Sequence, residues 1–261
     1  MAKQSGLHQI RGKVGEHSYY RQSGVENGLI RRINQGMSNR VKTGAEFANT
    51  RLNNKEFKVA ANMAKAFGGM ITPKYRPMLL NFSQAKLTKG FLEILKRNTG
   101  DWGLRYLIAA NNSQMLDVVN SLAKFPFFAE VTLTNSENDS VSCQVRIPSS
   151  EIAALIANGA DGVRLRLQYR SVYGAKYTAS EFDMYTSRVT APYQASTILD
   201  PEGSFEDSTS IEITSHTAWT DTDRIFDEVA VTLMPYKTVN GQNYILQELC
   251  SFAVFQAPAR A

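Results

Sequence analysis

The chain has 261 residues with 29 Lys/Arg, 24 Asp/Glu and a net charge of +5, and 43% of it is hydrophobic. Thirteen Phe and eleven Tyr exclude a disordered chain, which lacks the apolar surface to offset its ordering entropy. The modest net charge hides a division: residues 1–126 carry 20 basic and 7 acidic side chains, whereas 127–261 carry 9 and 17. Such asymmetry points to an acidic partner or a docking arm and says nothing directly about fold. Apolar runs such as Leu104–Ala110 and Phe125–Ala129 are far shorter than the roughly 20 residues that span a bilayer, so no membrane partner is expected. Met1-Ala2-Lys3-Gln4-Ser5-Gly6 has no apolar stretch of a secretory signal. The expected compartment is therefore a cytoplasm, or a particle assembled in one.

Residues 1–42 read as an extended basic arm, with glycines at 6, 12, 15, 24, 28 and 36 and few apolar residues. Within it, Lys13–Gln22 and Gly28–Ile33 have strand composition and flank the loop-like Ser23–Asn27, which predicts a hairpin. An isolated hairpin is marginal in water, so this one requires a sheet edge or a neighbouring subunit.

Residues 43–126 read as helical. Thr43 with Glu46 has the spacing of a capping box, and Phe47, Ala48, Leu52, Phe57, Ala60, Ala61, Ala64 and Phe67 follow at helical spacing up to Gly68-Gly69. Asn53-Asn54 is a weak point that allows two helices. A second helix is expected over Met78–Asn98, closing on Lys96-Arg97 and Gly100, and a short one over Ser113–Lys124; basic residues and glycine favour a helix C-terminus.

Residues 127–261 change to period two. Ala129–Thr134, Val141–Ile147 and Val163–Tyr169 alternate apolar with polar, as half-buried antiparallel strands do. Ile211–Ser215, Glu228–Lys237 and Tyr244–Gln256 follow, the last two joined at Asn240-Gly241, a strong hairpin signal; Ser149–Ala157 is a short inserted helix. The fold class is α+β: a basic N-terminal hairpin arm, a helical middle and a C-terminal antiparallel, immunoglobulin-like β-sandwich.

Chemical signatures are weak. Gly12-Lys13-Val14-Gly15 lacks the glycine spacing and following helix of a phosphate loop. Ser215, His216 and Asp221 have triad residue types, but neighbours in a strand point to opposite faces. Asp221, Asp223, Asp227 and Glu228 are oxygen donors for a calcium ion, yet the loop lacks the glycine and final glutamate of an EF-hand; a solvated acidic surface is the favoured reading, as for Asp200, Glu202, Glu206 and Asp207. Two cysteines, Cys143 and Cys250, and three histidines have no zinc spacing, and two buried thiols are favoured over an inter-sheet disulfide. No metal, cofactor or catalytic residue is expected, and the chain reads as a non-enzyme. Tyr173, Tyr177 and Tyr185 would suit a glycan-binding face, a reading that rests on fold analogy alone.

The arm is more informative. Arg11, Lys13, Arg21, Arg31, Arg32, Arg40, Lys42 and Arg51 interleave with Tyr19 and Tyr20, a mixture suited to phosphate contacts and base stacking. Arg31 and Arg32 alternate faces on a strand, however, and Leu29 and Ile30 offer an apolar docking edge. The acidic residues Asp200, Glu202, Glu206, Asp207, Asp221, Asp223 and Asp227 of a neighbouring copy form the complementary surface, so self-docking is favoured over nucleic acid.

Gly12-Lys13-Val14-Gly15, Ser18-Tyr19-Tyr20-Arg21, Gly28-Leu29-Ile30-Arg31-Arg32 and the segment from Val41 through Arg51 to Phe57 resemble the N-terminal pattern of phage-related proteins of Bacteroidetes, including virion proteins of crAss-like phages. The resemblance covers about 60 residues, and none of those residues is catalytic. It implies a virion structural subunit present in many copies: a ring-forming head–tail connector or tail component, or an auxiliary capsid protein. Its partners would be copies of itself and other virion proteins such as portal, ring or capsid subunits. The resemblance does not separate head from tail.

Overall fold

The computed structural model describes residues 2–3, 11–20, 29–32, 36–68, 75–81, 83–136, 140–173, 186–189, 193–212 and 224–257. They form two compact units, Met1–Asn54 and Lys55–Ala261. The first carries nine Lys/Arg and three Asp/Glu, and the second 20 and 21, so their net charges are +6 and −1.

In the first unit, strands β1 (Ala2–Lys3), β2 (Gly12–Val14), β3 (His17–Tyr20) and β4 (Leu29–Arg32) form an antiparallel sheet in the order β1-β4-β3-β2. The expected hairpin is the β3–β4 pair, registered from His17↔Arg32 to Tyr20↔Leu29; its loop, Ser23–Asn27, lies outside the described residues. A second hairpin, β2–β3, turns at Gly15-Glu16, where Gly15 has φ 55°, the left-handed region that glycine enters without a Cβ clash.

Helix α1 (Met37–Thr43) follows, and it overturns the reading of Thr43 as an N-cap. Thr43 ends this helix, its Oγ1 donating to Asn39 O at 2.9 Å, and the residue at the start of the next helical turn is Gly44, with no side-chain cap. Gly44 is extended and breaks the chain direction, a 3₁₀ turn spans Ala45–Phe47, and helix α2 (Ala48–Gly68) begins there. It runs through Asn53-Asn54 without interruption.

In the second unit, α2 buries Val59, Ala60, Met63, Ala64 and Phe67, residues three and four apart and hence on one face; Phe57, expected inside, is 54% exposed. The expected Met78–Asn98 helix is two, α3 (Arg76–Leu79) and α4 (Gln84–Arg97). Leu80 between them is extended and makes a bridge to Ala123. Helix α5 is Asn112–Asn120 and α6 is Ser149–Ala157, the latter with its expected bounds. The strands are β5 (Glu130–Ser136), β6 (Ser140–Ile147), β7 (Gly162–Tyr173), β8 (Thr186–Val189), β9 (Tyr193–Ile198), β10 (Phe205–Glu212), β11 (Arg224–Val239), β12 (Gln242–Ile245) and β13 (Ser251–Gln256).

They make two antiparallel sheets. The smaller has the order β10-β6-β5; in the larger, β11 and β7 lie at the centre, β12 and β13 pair with β11, and β8 and β9 with β7. Side-chain alternation assigns the two faces of the larger sheet. Val163, Leu165, Leu167 and Tyr169 of β7 with Val229, Val231 and Leu233 of β11 meet Val141, Cys143, Val145 and Ile147 of β6 and Ile152 of α6. Ala230, Met234, Phe252 and Val254 point the other way, into a core with α2, α4 and α5. The helices and strands on either side of residue 126 thus share this core. Because β11 is covered on both faces, its residues 227–236 are all buried, including Pro235. That residue sits between the β13 pairing, which ends at Leu233, and the β12 pairing, which starts at Tyr236, a place where a missing N–H breaks no ladder bond on that side.

Two charges cross the helix-facing core. Arg170 and Glu228 are direct cross-strand partners, 1% and 0% exposed, joined by a short Nη2–Oε2 ion pair. Arg170 Nη1 also donates to Ala66 O at 2.6 Å, and its guanidinium lies 4.3 Å from the Phe67 ring centroid. It thereby supplies a cation to the carbonyl end of α2, where the helix dipole favours one. Burial pushes the Glu228 carboxyl up to about 7 against the pull of Arg170, with Asp227 adding to the rise; burial likewise lowers Arg170 against the pull of Glu228.

Both cysteines are free and buried, in separate cores, as expected. Burial first, then Asp207 for Cys143 and Glu248 for Cys250, pushes each thiol up to about 12.

Two outcomes follow from this packing. Glu228→Ala leaves a buried guanidinium without its counter-charge and should cost about 3–5 kcal/mol in urea unfolding, with Glu228→Gln, which keeps an acceptor, costing less. The folded chain at pH 8 should leave both thiols unmodified by a disulfide reagent and expose both on denaturation. Since each thiol holds its proton more tightly folded than unfolded, their contribution to stability should fall as pH rises from 9 towards 12.

Candidate docking site

Of the basic and aromatic arm residues, those on the described strands lie on one small sheet. Arg11, Lys13, Arg31 and Arg32 are exposed, Tyr19, Tyr20 and Ile30 are half-buried, and Leu29 is buried; Arg21 lies outside the described residues. Arg32 pairs with Glu16 at 2.8 Å, and Arg31 lies over the Tyr20 ring at 5.6 Å. Arg40 and Lys42 are exposed on α1, Arg40 paired with Glu46 at 3.1 Å. Arg51 donates to Val41 O and Gly44 O at 3.1 and 2.7 Å, so it ties α1 to α2 and is a structural arginine. Gly12–Gly15 forms strand and turn with no helix after it, which leaves no phosphate loop.

The acidic residues divide. Asp200, Glu202, Glu206 and Asp207 gather at one corner, where the chain leaves β9 in the larger sheet and enters β10 in the smaller. Between these strands lies an open groove of about 310 Å³ lined by Ile152, Ile198, Leu199, Asp200, Phe205 and Glu206. Its turn is closed by Glu202 N donating to Asp200 Oδ1 at 3.0 Å. Glu206 faces Arg146 of β6 at 3.2 Å, which also reaches Glu130 at 3.6 Å; all three are exposed, where such pairs contribute about 0–1 kcal/mol. Tyr193 OH of β9 lies 3.3 Å from Asp207 Oδ2, linking the two edge strands; desolvation and the nearby carboxylate raise its pKa.

Asp227 does not belong to the acidic surface expected from the sequence. It is 8% exposed and accepts from Ser171 Oγ at 2.5 Å, while Ser171 Oγ is 3.1 Å from Tyr169 OH. A buried side chain held this way is not part of an acidic surface. Glu228, the other residue weighed for calcium, is the buried partner of Arg170. Asp221 and Asp223 lie outside the described residues, as do Ser215, His216, Tyr177 and Tyr185, and among the described residues no group of three or more His, Cys, Asp or Glu is placed to hold a metal ion. No described helix is long and apolar enough to cross a membrane.

Sequence reasoning missed β9, which is central to this corner. Tyr193–Ile198 pairs with β7 from Leu167↔Tyr193 to Gly162↔Ile198, and its one signal was the alternation of Tyr193, Ala195 and Thr197 with Gln194 and Ser196. Gly162 makes this approach possible, since a Cβ there would meet the Tyr236 ring and stand 2.5 Å from Thr197 O.

No protein-family model and no curated protein matches the chain. Among solved structures, the sporulation control protein Spo0M of Bacillus subtilis aligns with 51% of this chain at 12% identity and a TM-score of 0.25. The alignment spans about half, 49%, of that protein's length.

Gly162→Ala should destabilise the chain by about 1–3 kcal/mol through overpacking. Hydrogen exchange should show the loss of protection concentrated in β9 and in the β7 residues it pairs with.

Proposed function

We propose that the chain is a non-enzymatic structural subunit of a phage virion that assembles in many copies, its basic N-terminal unit docking on the acidic side of a neighbouring copy. The observation that carries this reading is the pairing of two unlike parts in one chain: a compact unit of net +6 bearing exposed Arg11, Lys13, Arg31 and Arg32, and an open corner bearing Asp200, Glu202 and Glu206. Exposed ion pairs contribute little individually, so strand pairing and the half-buried Ile30, Tyr19 and Tyr20 supply most of the affinity while charge sets the register; Leu29 is already buried within its own unit. The two facing antiparallel sheets are read as an immunoglobulin-like sandwich. A ring-forming head–tail connector or tail component is the favoured position, because a circular array sets the basic part of one copy against the acidic part of the next; an auxiliary capsid protein uses the same contacts. The site of action is then the virion, assembled in the host cytoplasm, with no cofactor and no membrane.

A second reading, nucleic-acid binding through the arm, is favoured by the Arg31–Tyr20 stack, since cation and ring together suit bases and phosphates.

Deleting residues 1–42 separates the two. Loss of high-mass assemblies in light scattering, with no DNA affinity in either form at any salt, is the expected result. DNA binding by the intact chain that weakens steeply with salt and vanishes in the truncation would sink the docking reading. Detection of the chain by mass spectrometry of purified virions is the matching expectation for its location.

A further inference from the structure

Among the described residues, strand β9 is an edge of the larger sheet. Among them it pairs with β7 alone, and Leu199 N continues that ladder to Asp161 O at 3.0 Å. In an antiparallel ladder, alternate residues turn both peptide groups to the same side. With Leu199 bonded inward, Tyr193, Ala195 and Thr197 face β7, and Gln194, Ser196 and Ile198 turn their N–H and C=O groups outward. Natural sheets usually blunt such an edge with lysine, proline or a bulge. Tyr193-Gln194-Ala195-Ser196-Thr197-Ile198 has neither charge nor proline, and its last residue is a large aliphatic that is 81% exposed.

The arm carries a matching edge. Strand β2 pairs with β3 alone among the described residues. The two-residue turn at Gly15-Glu16 makes Val14↔His17 the closing hydrogen-bonded pair, as such turns do, so Lys13 turns its peptide groups outward. Lys13 is exposed, and Val14 beside it is 54% exposed.

We propose that β2 of one copy adds to the larger sheet of a second copy alongside β9. Antiparallel pairing would bond the outward groups of Lys13 to those of one of Gln194, Ser196 and Ile198, place the Lys13 side chain on the same face as Ile198, and set Arg11 and Lys13 near Asp200, Glu202 and Glu206 at the adjoining groove. No Lys or Arg occurs from residue 193 to residue 211, and Arg146 of β6, at the same corner, is already paired with Glu206. This rests on the arm-docking reading and names the surface it uses. Nucleic acid as the arm's occupant is the competing outcome.

The test uses full-length chains. One carries Lys13→Cys; a second carries Cys at Gln194, Ser196 or Ile198; the two are mixed and oxidised. The native thiols are buried and do not compete. At least one β9 position should give a cross-linked pair of the two variants roughly fivefold above Thr238→Cys, an exposed control, because only closely apposed Cα atoms can form a disulfide. In parallel, Ser196→Pro deletes an outward N–H and spares the β7 ladder. Its assemblies should disappear as they do on arm deletion, with the melting temperature unchanged. Cross-linking no better than the control, or normal assembly by Ser196→Pro, overturns the proposal. If arm deletion still abolishes assembly in that case, the arm docks elsewhere and the functional reading stands; if arm deletion leaves assembly intact, the functional reading falls with it.

Discussion

The architecture depends on the pairing of β7 with β11, and within it on a pair of charges that water does not reach. Arg170 and Glu228 stand opposite each other at the face where helices meet sheet. An isolated charge there would be prohibitive, and a pair is tolerated only when its remaining hydrogen bonds are made. The carbonyl of Ala66 and the face of Phe67 provide part of that compensation, which fixes where α2 must end on the sheet. A well-packed apolar pair of similar volume would often be as stable; the ionic pair adds position, because Arg170 Nη1 bonds Ala66 O near the end of α2, while Arg170 Nε and Glu228 Oε1 have no partner among the described residues.

The same logic holds the loop between α4 and α5. Glu56, 1% exposed on α2, accepts from Gly103 N at 2.8 Å and from Arg105 Nε and Nη2 at 2.7 and 2.9 Å. Asn98 and Asn111 exchange amide bonds at 2.8 and 3.0 Å across its two ends. In both places a charged or amide side chain answers backbone groups that no helix or strand could satisfy, and buried backbone groups need such partners.

Periodicity carried most of the second unit. Strands β5, β6 and β7 and helix α6 announced themselves through alternation or apolar spacing, since each has one covered and one polar face. The misses have physical causes. Strand β9 is uncharged and short, and its outer face is so exposed that apolar alternation is faint. Thr43 and Glu46 had capping-box spacing, but that pattern does not reveal that a helix ends at Thr43. Asp227 and Glu228 looked like solvated acids because their partners, Ser171 and Arg170, lie more than fifty residues away and become neighbours only through the β7–β11 register. The charge asymmetry was visible from the start, yet its boundary was not: much of the positive half belongs to helices that share a core with the strands.

The carboxylates beside the open edge also act on symmetry. Two copies meeting antiparallel through β9 would set Asp200 and Glu202 of each towards the uncharged Tyr193 end of the other strand, so charge contributes nothing to that seam. A contact with the basic arm does gain from charge complementarity, and it joins unlike surfaces. Unlike contacts have direction: they close into a ring when the rotation between copies divides a full turn, and otherwise run on as a filament.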